Sequence, residues 1–503
     1  MDRLFTTVLL LGAAFTHGAT LHGPRGFNST CTQIAQAVSS ASTVSWPSSD
    51  LYNQDIAHWS LAGIEASACS VEPGTPSDVG KILQIVGANR TPFAVKGGGH
   101  ATNPGFSSTT GVQIAMSKFS DVKYNAQTQT VDVGAGLVWE KVYEVLEPLG
   151  RNVVGGRTTG VGVAGFTLGG GYSWLTNQYG LSSDNVAAFE LVLPSGQVKS
   201  VTQSSNPDLF FALRGGYNNF GIVTKFTLKT YPQGQVWGGQ LTIGGDHLTE
   251  FHTALAKFSD NTDPKAQLLA PVIYVQAFGG PIVNLLLFYD GPTPPAGIFD
   301  DFLAIPNLAK DISTRSFLSI VGASMANTTE GSRDIFEFVP NTKYTPQFFQ
   351  AVVNESLFWG QRLSNTSSTT STFVYEPFLP TIFNHASASA YPFNRARAFL
   401  PSNLNFVWTS SADDLILQDA IRQSGKRLAE VAANDSADAA TASIYGNYAL
   451  FGTSVQRLYG SNLPRLRAIK ATIRSPEYHE SLLGAGRFEC VDLDYSPLYT
   501  HYH

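Results

Sequence analysis

Glycines and one histidine are the residues of this chain whose types and spacing most clearly predict chemistry. The stretch VKGGGHATNPG, residues 95–105, places Gly97, Gly98 and Gly99 directly before His100. Consecutive glycines let backbone N–H groups converge on an anion such as a pyrophosphate, because no Cβ blocks the approach. His100 adds an imidazole, which can be a nucleophile. The pattern predicts an anion-binding loop with a reactive side chain at its end; a plain turn between strands is the alternative.

More glycine clusters follow within about 130 residues, which favours a shared ligand over a series of unrelated turns. They lie at 155–156, 160–171, 215–216 and 221. GVGVAG, residues 160–165, also matches G-x-G-x-x-G, and an aspartate follows about 20 residues later. Its surroundings are not a clean strand–turn–helix, and the TLGGG that comes next would break the required helix. We therefore expect no Rossmann domain.

The elements around these clusters alternate without regular βαβ units. Helices are predicted over 76–90 and 137–150, the second with an apolar side formed by Val138, Val142, Val145 and Leu149. Strand pairs are predicted over 121–136 and 187–202, and a helix, turn and strand over 207–232. Hairpins mixed with helices favour an α+β fold. Longer apolar strands begin after residue 232, which indicates a second domain.

Three segments, 92–106, 152–186 and 206–224, resemble in order and spacing the berberine-bridge-enzyme-like flavoproteins of the vanillyl-alcohol-oxidase, or PCMH-type FAD-binding, superfamily. Fungal oxidases of secondary metabolism are the most similar members, and the resemblance returns more weakly at 444–470. It implies a two-subdomain FAD-binding domain at 23–232 and a substrate domain at 233–444 with an antiparallel sheet flanked by helices. A C-terminal segment, 445–503, would return to the FAD domain.

The resemblance also implies which residues hold FAD. His100 would attach covalently to the 8α-methyl group of the flavin. Many relatives add a cysteine link, but Thr158 stands at that position here, so a single link is predicted. Val161 falls where family members control oxygen access. The full implied set is His100, Lys96, Gly97, Gly98, Gly99, Ala101, Thr158, Val161, Gly162 and Gly165, with Tyr179, Gly180, Asp184 and Asn185 near the isoalloxazine ring and Gly221, Ile222 and Val223 near the adenine.

The implied reaction is hydride transfer from a small alcohol or a reduced ring of a secondary metabolite to FAD, with O₂ as the final acceptor and H₂O₂ as product. Tyr448 and Glu376 are the candidate catalytic residues, although a structural role is the alternative for each. A carbohydrate oxidase is a second possibility, against which Thr158 counts. A secreted flavin-binding protein without turnover is a third, because the chain departs from the family pattern after RLRAIK, residues 465–470.

The remaining features concern location and partners. Residues 1–19 have the charge and apolar stretch of a signal peptide, so we expect a secreted or secretory-lumen protein with no membrane anchor after cleavage. The net charge of −6, without a basic run, argues against nucleic acid. Cys31 and Cys69 are the expected disulfide, and three scattered cysteines argue against a metal site. No pattern sets the oligomeric state. Sequons predict glycosylation at Asn28, Asn89, Asn327, Asn354, Asn365 and Asn434.

Overall fold

A computed structural model describes residues 25–324 and 329–473. The predicted signal peptide, Asn327, Cys490 and most of the atypical C-terminal stretch lie outside the described residues. Among the described helices, none is long and apolar enough to cross a membrane.

The first layer is a small sheet with helices packed on it. It contains helices α1 (Asn28–Ala37), α2 (Asp50–Ile56) and α3 (Pro76–Ala88), and strands β1 (Thr43–Ser45), β2 (Cys69–Glu72), β3 (Phe93–Lys96) and β4 (Val112–Ala115). The strand order is β1-β2-β4-β3, and β4 runs parallel to both of its neighbours. Thr75 caps α3 by accepting from the Asp78 backbone N–H, and Pro76 opens the helix. The Cys31–Cys69 disulfide joins α1 to β2, which confirms that prediction.

A second, antiparallel sheet follows. Its strands are β5 (Val122–Asn125), β6 (Thr130–Gly134), β8 (Val186–Val192), β9 (Val198–Val201) and β10 (Ile222–Lys229), while β7 (Arg151–Asn152) pairs with β11 (Tyr231–Pro232). Their order is β5-β6-β10-β8-β9. Helices α4 (Trp139–Leu146), α5 (Val163–Leu168), α6 (Thr176–Tyr179) and α7 (Pro207–Leu213) connect these strands.

The largest sheet has seven antiparallel strands. They are β12 (Val236–Gly244), β13 (Ala266–Val275), β14 (Gly280–Tyr289), β15 (Ala309–Arg315), β16 (Arg333–Asn341), β17 (Ser368–Tyr375) and β18 (Leu400–Trp408), in the order β15-β12-β14-β13-β17-β18-β16. The helices between these strands are α8 (Leu248–Phe258), α9 (Asp300–Leu303), α10 (Phe317–Gly322) and α11 (Pro346–Arg362), and α12 (Asp414–Asp435) and α13 (Ala437–Thr441) follow β18. Helices α11 and α12 pack on this sheet, so its opposite face is available for the site.

The chain then returns to its first half. Helices α14 (Val455–Tyr459) and α15 (Leu463–Ile473) end the described residues, and α15 packs on α7. Arg465 bonds to Asp208 at 2.7 Å and lies 3.8 Å from the ring centroid of Phe211. The mixture of sheets and helices confirms the predicted α+β fold.

One predicted helix face is wrong in part. In α4 and the turn after it, Val145 and Leu149 are 42% and 51% exposed, whereas the sequence pattern placed both on the apolar side. Trp139 and Tyr143 are buried instead. Two large aromatic rings bury more apolar area than Val145 and Leu149 would, so they set which side of the helix faces inward.

Candidate active site

A cavity of about 600 Å³ lies between the glycine loops and the free face of the seven-stranded sheet. One wall is lined by backbone and small side chains of residues 97–101 and of Thr158, Val161, Gly162, Ala164 and Gly165. Side chains from β13, β14, β17, β18 and β16 line the other. The returning segment 445–448 closes part of the rim.

The glycine wall depends on direct contact between two backbone segments. A Cβ added to Gly98 would lie 2.6 Å from the backbone N and Cα of Gly162, and one added to Gly162 would lie 2.5 Å from the backbone N of Gly98. Only glycine at both positions allows this approach. Hydrogen bonds from Trp139 N to Val161 O and from Val163 N to Leu137 O hold the second loop. The two loops are therefore fixed relative to each other.

His100 lies at the end of the first loop and faces the cavity. Its ring stacks on Trp59, with 4.4 Å between centroids and 10° between planes, and Trp59 in turn lies parallel to Phe336 of β16 at 6.0 Å. Trp59 N donates to Gly99 O at 2.9 Å, which ties the stacking ring to the loop. Burial lowers the pKa of His100 to about 4, so the imidazole is neutral at neutral pH. A neutral imidazole has the lone pair that a nucleophile needs.

A buried polar cluster stands at the sheet side of the cavity. Arg157 Nη2 donates to Glu376 Oε2 at 2.6 Å and to the Tyr448 hydroxyl at 3.0 Å. Arg157 is 6% and Glu376 1% exposed. Burial raises the pKa of Glu376 although the guanidinium opposes the shift, and burial also raises the pKa of Tyr448, which therefore stays a phenol. Among the described residues, Glu376 Oε1 and Arg157 Nη1 have no hydrogen-bond partner.

Hydrogen bonds hold in place the returning segment that carries Tyr448. Asn103 Nδ2 donates to Ala449 O at 2.8 Å, and Phe451 N donates to Asn103 Oδ1 at 3.1 Å. Tyr217 donates to Asn447 Oδ1 at 2.8 Å. Residues from three distant parts of the sequence thus meet at one place.

Most of the predicted site residues line this cavity. They are His100, Gly97, Gly98, Gly99, Ala101, Thr158, Val161, Gly162, Gly165, Ile222, Val223, Glu376 and Tyr448. Six predicted residues are not in the lining: Lys96, Tyr179, Gly180, Asp184, Asn185 and Gly221. Lys96 instead donates to Gln54 O at 2.7 Å and Ala57 O at 3.0 Å, so it braces the loop from behind.

The other five have structural contacts of their own. Asp184 is 6% exposed and bonds to Arg214 at 2.8 Å and Arg395 at 2.6 Å, so its carboxylate is used within the protein. Asn185 bonds to the backbone at Tyr179 O and Leu181 O. Tyr179 stacks on Tyr231, a Cβ at Gly180 would meet Asp184, and one at Gly221 would meet Val192 O. None of these contacts supports the implied approach to the flavin.

Sequence reasoning missed Arg157 and Trp59. Arg157 follows Gly155-Gly156 as the one charged residue of the 152–171 motif after Arg151, and that isolated charge was a usable signal. Trp59 lies some 40 residues before His100 in a segment without a motif, so only the fold brings their rings together.

The sequon asparagines can also be placed. Asn28, Asn89, Asn354, Asn365 and Asn434 are all exposed, which leaves each accessible to modification. The Asn89 amide donates to Gln33 Oε1 and to Ile85 O in the described structure.

FAD fits the glycine wall on the structural evidence alone. A Cβ on Gly165, which lines the cavity, would meet no atom within 4 Å, so open space lies against its backbone. The wall offers the backbone of residues 97–99, Gly162 and Gly165, a neutral histidine and apolar Val161, Ile222 and Val223. Phosphates need accessible backbone N–H groups, and a flat ring system needs apolar side chains.

Comparison with known proteins identifies the class of protein to which this chain belongs. Residues 67–202 match a family model described as an FAD-binding domain. An uncharacterized FAD-linked oxidoreductase of Arthroderma benhamiae is 32% identical over 390 residues, which cover 75% of this chain and 77% of that protein. The bifunctional solanapyrone synthase of Alternaria solani is 34% identical over 300 residues, covering 59% of this chain and 57% of that protein. A BBE-like 1 structure from Physcomitrella patens has a TM-score of 0.74 at 18% identity, over 92% of this chain and 99% of that one.

The site and fold are thus those of an FAD-dependent oxidoreductase. The chain belongs to the FAD-linked oxidoreductases, and its fold is that of the berberine-bridge-enzyme-like structure, as the sequence motifs predicted.

Proposed function

We propose that this protein is an oxidase that removes a hydride from a carbon bearing a hydroxyl or an amine, with FAD linked covalently to His100. One observation carries the proposal: a neutral histidine and a buried Arg157–Glu376–Tyr448 cluster line the same cavity. The substrate would be a small alcohol or a reduced ring of a secondary metabolite. Bound FAD supplies the two-electron acceptor, and O₂ then takes both electrons to give H₂O₂.

Glu376 is the proposed general base. Its Oε1 has no partner among the described residues, and burial raises its pKa, which makes the carboxylate a stronger base than an exposed one. It takes the hydroxyl proton as the hydride leaves the adjacent carbon. Arg157 keeps this buried carboxyl ionised and oriented.

Tyr448 is proposed to orient the substrate rather than to act as the base. Its raised pKa keeps it protonated, and its oxygen already accepts a hydrogen bond from Arg157. The phenol proton is then directed away from Arg157, toward Glu376 or the substrate oxygen. Tyr448 and Glu376, the two predicted catalytic residues, therefore receive different roles.

His100 is proposed as the single covalent attachment point. In forming this bond the neutral nitrogen of His100 would act as the nucleophile; His100 and the 8α-methyl group would each lose a proton, and two electrons would pass to O₂ to give H₂O₂. Thr158 lines the cavity but has no thiol for a second bond. We further propose that Val161 leaves room for O₂ and that the parts 23–232 and 445–503 together hold FAD, with 233–444 binding substrate.

Secretion and glycosylation complete the proposal. The Cys31–Cys69 disulfide is consistent with an oxidising compartment, and the five described sequon asparagines are exposed. Mass analysis of protein secreted by a eukaryotic host tests both features. Signal cleavage near residue 19 and glycan loss on enzymatic deglycosylation are the expected results.

Purified, flavin-loaded protein tests the reaction. It is mixed with a panel of cyclic and benzylic alcohols and with cellobiose, while H₂O₂ release and bleaching of the flavin absorbance are recorded. The proposal predicts peroxide in proportion to alcohol oxidised. Bleaching without peroxide would make the protein a dehydrogenase, and a flavin that no compound in the panel reduces would favour a binding protein without turnover.

A further inference from the structure

The sheet wall of the cavity has two unlike halves. Side chains alternate along a strand, so every second residue faces the cavity. On β13 and β14 these residues are apolar at six of seven positions, Leu269, Pro271, Ile273, Val275, Ile282 and Leu286, and Asn284 is the exception. On β17 and β18 they are mostly polar: Thr370, Thr372, Asn403 and Asn405.

Strand register places the two halves side by side. Ile273 pairs with Ile282 on one side and with Thr372 on the other, and Thr372 pairs with Asn405. One row further along, Val374 pairs with both Pro271 and Asn403. Along the row through Ile273, crossing the wall from β14 to β18 therefore leads from aliphatic side chains to a hydroxyl and an amide.

Asn403 presents a buried amide oxygen to the cavity. It is 8% exposed and lines the cavity, and its Oδ1 has no hydrogen-bond partner among the described residues. It pairs with Val374, two residues before Glu376, so it borders the proposed base. A buried amide oxygen without a partner is unfavourable, and a ligand that donates a hydrogen bond to it corrects this.

The wall also disfavours charged and hydroxyl-rich ligands. Among the described lining residues, only Arg157 and Glu376 carry a full charge near neutral pH, and they pair with each other. A charged group placed on the sheet wall would lose water without gaining an unpaired opposite charge. An oligosaccharide would press hydroxyls against Ile273 and Ile282. Phe278, which is 72% exposed, adds an apolar side chain to the lining between β13 and β14.

We propose that the substrate is an uncharged, largely apolar ring compound that carries a hydroxyl or N–H donor on one edge. The donor binds Asn403, the aliphatic edge lies on β13 and β14, and the oxidised carbon comes next to Glu376. This inference rests on the proposed oxidase function for the last statement only, since the preference in binding comes from the wall itself.

Binding of matched probes to the flavin-loaded protein tests the inference without turnover. Calorimetry compares 2-naphthol with 2-methoxynaphthalene, which lacks the donor, and with 2-naphthoate and cellobiose. We expect 2-naphthol to bind roughly tenfold more tightly than its methyl ether, as one hydrogen bond implies. Naphthoate and cellobiose should bind more weakly than both.

Two variants locate the donor site. Asn403→Leu should weaken 2-naphthol binding and bring the two neutral probes to equal affinity. Asn405→Leu is the matched control, because Asn405 Nδ2 already donates to Ile335 O at 3.3 Å, and it should preserve the preference. Retained flavin absorbance shows that each variant is folded.

The outcomes separate the two proposals. An unchanged preference in Asn403→Leu, or cellobiose binding more tightly than 2-naphthol, overturns this inference. The expected binding order in a protein that oxidises no alcohol overturns the oxidase function and leaves the binding inference standing. Oxidation of cellobiose with no naphthol binding overturns the binding inference and leaves the oxidase function standing.

Discussion

The two walls of the cavity are built by different means. The glycine wall is mainly backbone: residues 97–99 and 160–165 approach so closely that a Cβ at Gly98 would collide with Gly162. The sheet wall is made of side chains: β13, β14, β17 and β18 contribute alternate residues between 269 and 405, and β16 adds Phe336. A wall made of backbone can closely fit a ligand group of one particular shape. A wall made of side chains can change its polarity by substitution while the backbone stays in place.

This difference predicts how each wall responds to substitution. A change in the glycine wall alters geometry, so it should affect the capture of the flavin and the stability of the fold. A change in the sheet wall alters chemistry, so it should affect turnover and ligand choice while the flavin stays bound. The following variants test that separation.

Gly98→Ala should cause the largest loss. The new Cβ would lie 2.6 Å from Gly162 backbone atoms, so the loops must part, at a cost of roughly 1–3 kcal/mol. We expect little or no bound flavin and a lower Tm, measured by absorbance and thermal unfolding. Gly322→Ala is the control, because a Cβ there meets no atom within 4 Å. Normal flavin content in Gly98→Ala would refute the backbone account of this wall.

His100→Ala should remove all covalently attached flavin. On a denaturing gel the wild-type band should fluoresce and the variant band should not. His252→Ala is a matched control: His252 is also buried, with its pKa lowered to about 4 by burial, and stacks on Phe349, but it is not part of the cavity lining. A fluorescent His100→Ala band would place the attachment elsewhere.

Glu376→Gln should lower kcat by roughly 10²–10⁴-fold, the contribution of a general base. The flavin should remain bound, because the glycine wall is unchanged. Steady-state rates and flavin content are measured together. Glu337→Gln provides the comparison, since burial raises the pKa of Glu337 to about 7 yet it lies outside the cavity lining. Equal losses in the two variants would remove Glu376 from the mechanism.

Arg157→Gln should shift the pH dependence of kcat/KM. The guanidinium lowers the pKa of Glu376, so its removal raises that pKa further, and the base is lost at higher pH. The acidic limb should move upward by about one unit or more. Arg214→Gln, which removes another buried arginine that pairs with Asp184, should leave the limb in place. A limb that stays or moves to lower pH contradicts the assigned role.

Trp59→Leu should have the smallest effect. It removes the ring stacked on His100, so covalent attachment of added FAD to the apoprotein should slow by roughly two- to tenfold. Trp59→Phe retains a stacking ring and should react at nearly the wild-type rate. Identical slowing in both variants would show that stacking does not position the imidazole.

The sequence predicted features formed by neighbouring residues better than features formed by residues far apart in the chain. The glycine clusters, His100 and the α3 helix depend on contiguous residues, whereas the Cys31–Cys69 bond joins residues 38 positions apart and was predicted because the chain has only three cysteines. Glu376 and Tyr448 were predicted only through the family resemblance. Arg157, which bonds to both, was missed because it lies 219 residues from Glu376 and 291 residues from Tyr448 in the sequence.

Asp184 has contacts in the structure that the sequence did not predict. Its place in a family motif implied a flavin contact, but Arg214 and Arg395, neither linked to it by any local pattern, use both carboxylate oxygens. The cross-strand neighbours in the seven-stranded sheet could not be predicted from the sequence either, because the order β15-β12-β14-β13-β17-β18-β16 joins strands far apart in the chain.

Mapping of the flavin on the polypeptide tests the central proposal most directly. The purified protein is denatured in acid and its intact mass is recorded. It is then digested, and the yellow peptide is sequenced by mass spectrometry. The account predicts one FAD per chain, carried by His100 in the peptide that contains residues 97–100, and none on Thr158. FAD released into the supernatant, or found on any other residue, would contradict it.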